Sequence, residues 1–340
     1  MKKKILIITA ALVGIALLVI GCAAFILFTN NTRIQTATTV TIPRNATYAQ
    51  VMDSLRSQSI LRNEKTFKLT ATAMRFKTMR MGKYVISPKM SNYKIVRLLR
   101  AGQHYSVRFT FNNVRTLDQF VEKVGNRFFF APVELAHLLH DSTFLRNYDL
   151  NKATCSAIFI PNSYDFYYDI TAREFFDQMY HIYQNFWNDQ RRQQAKQIGL
   201  TPIEVSTLAS IVEEENFRPS EKAIIAGLYI NRLHKGMLLQ SDPTVKFAIG
   251  DFARKRILNA DLQTDSPYNT YRNAGLPPGP IRIPEASTID SVLHYQHHNY
   301  LFMCAKEDLS GYHNFTHSAA IHAQNAARYR AALNRKNIKR

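Results

Sequence analysis

The sequence is poor in cysteine, and the few it has exclude whole classes of site. Cys22, Cys155 and Cys304 lie far apart, and none belongs to a CxxC pair. Zinc ribbons and thioredoxin-like redox sites are therefore unsupported. Whether Cys155 and Cys304 form a disulfide stays open at this stage, because pairing depends on whether the fold brings them together.

The chain also lacks the motifs that hold phosphate groups or metal ions. It has no glycine-rich phosphate loop, and its C-terminal histidines follow no metal-binding spacing such as HExxH. We therefore predict no metal site and no other cofactor. The histidines in question, which we expect to be ordinary surface residues, are His294, His297, His298, His313, His317 and His322.

Acidic residues are scarce, with 25 Asp and Glu against 44 Lys and Arg, which gives a formal charge of +19. Such a balance favours an anionic partner: nucleic acid, a membrane surface or an acidic polymer. The basic residues are scattered, however, and no long basic block accompanies a nucleic-acid motif. We therefore predict no nucleic-acid binding.

No charged residue occurs between Lys4 and Arg33. After a basic tip at 1–4, the apolar stretch 5–29 is long enough to cross a bilayer as one helix. Val19–Cys22 has the form of a lipoprotein processing box, which is the alternative, but the residues after Cys22 stay apolar. We expect an uncleaved single-pass anchor in the cell (inner) membrane, with the N-terminus cytoplasmic and the body periplasmic or extracytoplasmic.

The pattern after the anchor predicts an α+β protein with a small unit and a larger one. A polar linker at 30–39 precedes a strand–helix–helix–strand–helix unit at 40–103, whose strands are Val40–Pro43 and Gly82–Ile86. We assign 104–335 to a second domain of mixed α+β structure and 336–340 to a basic tail. In the second domain we expect a strand over Tyr105–Phe111, a helix from Thr116, and one long amphipathic helix from Thr171 to about Ile198.

The stretch from Leu208 to Thr244 carries the candidate chemistry. A capping box over Thr201–Glu204 begins a helix that ends in Glu213, Glu214 and Glu215. On a helical wheel Glu213 lies at the edge of the buried face, Glu215 lies inside that face, and Glu214 points to solvent. A general acid needs partial burial and access to a cleft, so Glu213 is our candidate acid and Glu215 its buried support. The alternative is an ordinary acidic helix end.

A second helix, predicted to be capped by Ser220 and to end at Lys235–Gly236, leads to the polar turn Gln240–Thr244. An Asp-Pro turn is by itself unremarkable. Because the turn follows the glutamate helix and one further helix, we expect its polar groups to lie in the same cleft as the glutamates.

These segments together resemble the YceG-like (MltG) family of endolytic murein transglycosylases. The resemblance covers most of the chain and includes the small unit at 40–103, which looks like the family's LysM-like subdomain. It rests on motifs that match in order and spacing: Leu208–Glu213, Asn231–Leu233, Leu239–Val245, Tyr268–Tyr271, Gly275–Ile281, His313–Phe315 and His322.

The resemblance implies a lyase that cleaves the bond between N-acetylmuramic acid and N-acetylglucosamine and leaves 1,6-anhydro ends. It places the family's catalytic glutamate on Glu213 and its partner on Glu215. Glu214 replaces the usual Lys, and Ile283–Glu285 replaces the usual Asn-Pro-Gly. The expected supporting and substrate-binding residues are Glu215, Asn231, Gln240, Ser241, Asp242, Thr244, Asn269 and Tyr271.

The partners implied are peptidoglycan glycan strands, membrane lipid around the N-terminal helix, and peptidoglycan synthases. The alternative on the same fold is a non-catalytic peptidoglycan-binding or cell-division scaffold. A hydrolase that leaves reducing ends is a further alternative, and the mass of the product separates it from a transglycosylase.

Overall fold

The computed structural model describes residues 2–43, 46–77, 79, 81–101, 106–216, 218–254 and 257–336. The chain forms a mixed α+β structure with two compact units. Unit 1 comprises residues 1–107 with the short segments 127–129 and 165–170, and unit 2 comprises the remainder.

Unit 1 has the order of elements predicted for 40–103, which is confirmed. Its strands β1 and β2 pair antiparallel, with Val40 opposite Tyr84, and both side chains are buried in an apolar core. The elements of this unit are α1 (Lys2–Phe28), β1 (Thr38–Ile42), α2 (Tyr48–Ser57), α3 (Glu64–Ala73), β2 (Gly82–Ile86) and α4 (Asn92–Ala101).

Helix α1 is the one helix among the described residues that is long and apolar enough to cross a bilayer. This criterion, met over Ile8–Phe28 with a mean hydropathy of 2.9, concerns length and composition only. The segment that follows it is packed rather than free. Asn31 and Thr32 are buried, the Asn31 amide donates to Asn92 Oδ1 at 2.5 Å, and the Asn92 amide donates to the Ile26 carbonyl at 3.0 Å.

The chain continues through two further two-stranded sheets, β3–β4 and β5–β6, and ten α-helices within the described residues. Tyr105 of the predicted strand lies outside the described residues. The elements are β3 (Ser106–Phe111), α5 (Leu117–Val124), α6 (Pro132–His140), α7 (Ser142–Arg146), β4 (Asn162–Tyr167), α8 (Ala172–Phe186), α9 (Asp189–Ile198), α10 (Pro202–Glu215), α11 (Pro219–His234), α12 (Asp242–Ile249), α13 (Ala286–Leu293), β5 (Phe302–Ala305), β6 (His313–Thr316) and α14 (Ala319–Arg335).

The prediction of one long helix from Thr171 to Ile198 is wrong, because helical geometry is interrupted at Trp187. Trp187 leaves helical geometry at φ −83°, ψ 62°, and the Asn188 side chain accepts from Arg191 N to begin α9. The prediction that Ser220 caps α11 is also wrong. Pro219 occupies the first helical position and Arg218 precedes it, as proline's fixed φ favours.

Helix α10 is the central helix of unit 2. Its capping box at Thr201 and Glu204 is confirmed, and every residue from Val205 to Glu213 is buried. Helices α9, α11, α12 and α13 all contact it. A helix enclosed on all sides has no solvent face, so a wheel that assumes one buried face misplaces its polar residues.

The open question of a disulfide is settled for the described residues. Cys155 is buried and Cys304 is half-buried, and both are free thiols. Burial raises the pKa of the Cys155 thiol to about 12, so it stays protonated and unreactive.

Candidate active site

Glu213 lies in the interior of unit 2, where its carboxylate is fully engaged. It is 5% exposed, and its Oε2 accepts hydrogen bonds from the Glu285 backbone N at 2.8 Å and the Thr288 hydroxyl at 2.7 Å. Its Oε1 lies 3.1 Å from Nε of Arg282, and Lys222 Nζ lies 3.9 Å from Oε2. The expected position of Glu213 at the edge of a cleft is therefore wrong.

Glu214 is an ion-pair partner, and the expectation that it points freely to solvent is wrong. Its carboxylate accepts two parallel hydrogen bonds from Arg115, both at 3.0 Å, and one from Arg282 Nη1 at 2.7 Å. The Glu214 side chain is 14% exposed. Two cations thus compensate the carboxylate that stands where the family usually has Lys.

Arg282 joins the two glutamates. Its side chain is 4% exposed, and it pairs with Glu213 through Nε and with Glu214 through Nη1. The Nε contact is an ion pair without hydrogen-bond alignment, while Nη2 donates to Asn113 Oδ1 at 2.8 Å. The sequence contains no periodic or spacing signal that would have identified this buried cation.

Glu215 has a different environment, at the wall of a pocket of about 310 Å³. The residue is half-buried, and both of its hydrogen bonds fall on Oε1, from the Tyr229 hydroxyl at 2.7 Å and the Ser241 hydroxyl at 2.5 Å. No described residue is bonded to Oε2. The residues that line the pocket are Glu215, Leu228, Tyr229, Arg232, Leu239, Gln240, Asp242, Tyr271, Met303 and His322.

Burial raises the pKa of Glu215, because it penalises the charged carboxylate. The hydrogen bonds from Ser241 and Tyr229 favour the charged form and oppose this shift, while the nearby Asp242 adds to it. A carboxyl with a raised pKa and one uncommitted oxygen, at the wall of a pocket, has the properties of a general acid.

The polar turn expected to return to the glutamates does so, at Glu215. Ser241 bonds to Glu215, Gln240 and Asp242 line the pocket, and the Tyr271 hydroxyl donates to Asp242 Oδ1 at 2.6 Å. Gln240 adopts a left-handed φ of 52°. The turn is held by two bonds to Thr270, from the backbone N of Gln240 at 3.1 Å and of Ser241 at 3.0 Å.

The other three predicted supporting residues do not line the pocket. The Asn231 amide donates to the carbonyls of His298 and Tyr300, and Thr244 Oγ1 donates to the Ser241 carbonyl at 2.7 Å. The fully buried Asn269 similarly holds two carbonyl groups of its own loop, those of Leu262 and Thr264. These side chains shape the backbone around the pocket.

Arg232 and His322 line the pocket but were not predicted as site residues. Arg232 is 8% exposed, and its Nε and Nη1 donate at 2.7 Å to the carbonyls of Leu301 and Leu239. Both residues lie in segments that carry the family resemblance, yet neither has a spacing that indicates a role. Only the folded arrangement brings them to Glu215.

The comparisons with known proteins identify the family of the chain. The model of the YceG-like family matches residues 40–328. The chain belongs to this family. That match includes the whole of α10, the polar turn and the residues that line the pocket.

Two curated relatives of this YceG-like protein carry the name endolytic murein transglycosylase. The protein of Bacillus subtilis is 26% identical over 317 residues, which cover 89% of this chain and 87% of that protein. The protein of Streptococcus pneumoniae D39 is 24% identical over 297 residues, which cover 78% of this chain and 54% of that protein.

A crystal structure of a yceG-like protein from Listeria monocytogenes has a similar fold. It superposes with a TM-score of 0.54 at 23% identity, and the match covers 86% of this chain and 99% of that chain. At this level of identity the likeness bears on the fold alone.

Proposed function

We propose that this protein is a membrane-anchored endolytic lytic transglycosylase, in which Glu215 acts as both general acid and general base. The substrate is the glycan strand of peptidoglycan, cut between N-acetylmuramic acid and N-acetylglucosamine with formation of a 1,6-anhydro end, which terminates elongation of the strand. The observation that carries the proposal is the carboxyl of Glu215: it is half-buried, its pKa is raised, it lines the pocket, and its Oε2 has no bonded partner among the described residues. The names of the two relatives support the substrate class.

Glu215 fits the catalytic role better than Glu213, to which the resemblance assigns it. The oxygens of Glu213 already contact Arg282, Thr288 and a backbone N–H, and Glu213 is not among the described residues that line the pocket. A general acid must come within hydrogen-bond reach of the leaving oxygen, or reach it through one water. The catalytic role that the resemblance implies for Glu213 is untested, and in this proposal Glu213 instead fixes the end of α10.

One carboxyl is sufficient for this reaction. Protonated Glu215 gives its proton to the glycosidic oxygen as the C1–O bond breaks, and the carboxylate then takes the proton of the muramyl C6 hydroxyl. That hydroxyl attacks C1 and closes the anhydro ring, so no water is consumed. A hydrolase needs a second carboxylate to manage water or to act as a nucleophile. The bonds from Tyr229 and Ser241 hold Oε1 and leave Oε2 to carry the proton.

The test compares Glu215→Gln with Glu213→Gln on purified glycan strands, with products identified by mass spectrometry. We expect Glu215→Gln to lower the rate of anhydro-product formation by about 100-fold to 10,000-fold, the usual contribution of a general acid. Glu213→Gln, assayed where it remains folded, should still form the same product.

A folded Glu213→Gln variant without activity beside an active Glu215→Gln variant would return the role to Glu213. If both variants cleave as well as the wild type, neither carboxyl is the general acid, and the scaffold alternative holds only if the wild type itself forms no product. A product heavier by one water would identify a hydrolase.

The proposal extends to the rest of the chain. Helix α1 is the anchor, with the N-terminus cytoplasmic, and its apolar length supports this. Residues 40–103 form a LysM-like subdomain that binds glycan, and residues 104–335 form the catalytic domain. Peptidoglycan synthases are the partners that would supply nascent strands. Extraction of membranes with alkaline carbonate tests the anchor, since a chain released by that treatment is not membrane-spanning.

A further inference from the structure

Arg232 presents part of its guanidinium to the pocket that contains Glu215. Three backbone carbonyls, of Leu238, Leu239 and Leu301, accept from Nε and Nη1 and fix the position of the group. Among the described residues nothing accepts from Nη2. The pocket is therefore lined by a rigid cation that retains donor capacity.

His322 adds a second polar group to the same pocket. It lies in the first turn of α14, and its ring stacks on Phe302 with a centroid separation of 5.3 Å. Its Nδ1 is buried and has no hydrogen-bond partner among the described residues. Burial, together with the charge of Arg232, lowers the pKa of His322, so the ring is neutral at physiological pH.

The proposed subsite uses one of the two neutral tautomers of the ring. Nδ1 is buried and unpaired in either tautomer, as a donor or as an acceptor. In the tautomer with its proton on Nε2, the ring can donate to a ligand in the pocket. Three apolar side chains also line the pocket, the buried Leu228 and Leu239 and the half-buried Met303, and they stand among polar groups.

Two donors in a pocket that also presents the apolar side chains of Leu228, Leu239 and Met303 match an acyl group, which has a carbonyl oxygen to accept hydrogen bonds and a methyl group to bury. We propose that Arg232 and His322 form a subsite for the acetamido group of the sugar next to the scissile bond. This inference rests on the proposed function. His322 is the specificity-determining residue in it, because its neutral N–H suits a carbonyl while Arg232 is also committed to the backbone.

The test measures binding in a Glu215→Gln background, which separates recognition from cleavage. Full-length protein in detergent is titrated with stem-free glycan strands that are either fully N-acetylated or de-N-acetylated. Calorimetry measures the affinity in each titration. We expect the acetylated strand to bind about tenfold tighter or more, as the loss of hydrogen bonds to buried donors implies. Adding His322→Phe, which keeps the ring over Phe302 but removes the donor, should reduce this preference to about twofold or less.

Two companion variants make the result specific. His322→Gln returns an N–H donor near the position of Nε2 and should restore part of the preference. His317→Phe changes an exposed histidine five residues earlier, away from the pocket, and should leave the preference at its full value. Melting curves for each variant confirm that binding is compared between folded proteins.

The inference is overturned if His322→Phe retains the full preference for acetylated strands. It is equally overturned if binding stops depending on His322 when the lactyl group is removed from the strand, and not when the acetyl group is removed. Failure of the proposed function has a different signature, because it appears as unchanged cleavage by Glu215→Gln, whatever the binding preferences are.

Discussion

Two hydroxyl groups donate hydrogen bonds to Oε1 of Glu215 and help to determine the pKa of this residue. Burial raises its pKa, and the bonds from Ser241 and Tyr229 lower it, so the position of the acid on the pH scale is a balance of these effects. Because a general acid works in its protonated form, activity should be lost as pH rises through the pKa of Glu215 in the folded protein.

Ser241→Ala should therefore extend activity to higher pH. The variant removes a hydrogen bond that stabilises the charged form, so the pKa of Glu215 rises further. The alkaline limb of the kcat/KM profile should move up by about one pH unit, which corresponds to one hydrogen bond of ordinary strength. Ser291→Ala, which removes an exposed hydroxyl bonded only to the Ser287 carbonyl, is the control. A downward shift of the limb would contradict this role for Ser241.

The choice between the glutamates shows how far residues can be placed from sequence. The motif located the chemistry at the end of α10 and paired it with the turn at Gln240–Thr244, which does meet Glu215. The wheel argument failed because it assumed one buried face, whereas α10 is enclosed along Val205–Glu213. Arg282 could not be found at all, since the partners of a buried cation are set by the fold.

At the scale of elements, Arg282 ties the C-terminal turn of α10 to the loop before α13. Arg282→Ala should lower the free energy of unfolding by about 3–5 kcal/mol, because it leaves the buried charge of Glu213 without its closest cation. Arg115→Ala is the matched control. Arg115 is 34% exposed and pairs with Glu214 alone, so its loss should cost about 1 kcal/mol. Urea titration of both variants checks this, and equal losses would contradict the bridging role.

The loop Gly275–Ile281 carries a second element-scale prediction. A Cβ on Gly279 would lie 1.9 Å from the Ala153 carbonyl oxygen, so Gly279→Ala should destabilise by about 3 kcal/mol through overpacking against backbone. Gly275 has a φ of +83° but open space around it, and Gly275→Ala should cost only the strain of that conformation, about 1–2 kcal/mol. Thermal melting distinguishes the two, and a Gly279→Ala variant as stable as the wild type would show that this loop adjusts.

Boundaries of elements were predictable where a capping residue marked them. Thr116, Thr201 and Gly199 stand at the predicted helix ends. The break at Trp187 was missed because an apolar face running through two helices resembles that of one. The start of α11 was misplaced because Ser220 was taken as its cap, although Pro219 already occupies the first helical position. Local chemistry marks where a helix begins or ends more reliably than periodicity marks where it continues.

At the scale of the whole molecule, the charge of +19 would attract the proposed anionic substrate before it binds. Peptide stems carry carboxylates, so strands with stems should be steered to the protein at low salt. The kcat/KM for such strands should fall about tenfold or more between 0.1 and 1 M salt, as the screening length shortens from about 10 Å to about 3 Å. Strands without stems keep one lactyl carboxylate per muramyl residue, so they serve as the less charged comparison and should show a clearly smaller decrease. Equal salt dependence for both would mean that salt acts on the protein and not on the encounter.

The bonds between Asn31, Asn92 and the Ile26 carbonyl close the gap between α1 and the rest of unit 1. The segment after α1 is therefore not a flexible spacer whose length sets the distance between α1 and the rest of unit 1. In the anchored chain proposed above, unit 1 would turn and tilt together with the helix that crosses the bilayer. Residues inserted near Asn31 would disrupt these hydrogen bonds, and they would not simply lengthen a flexible linker.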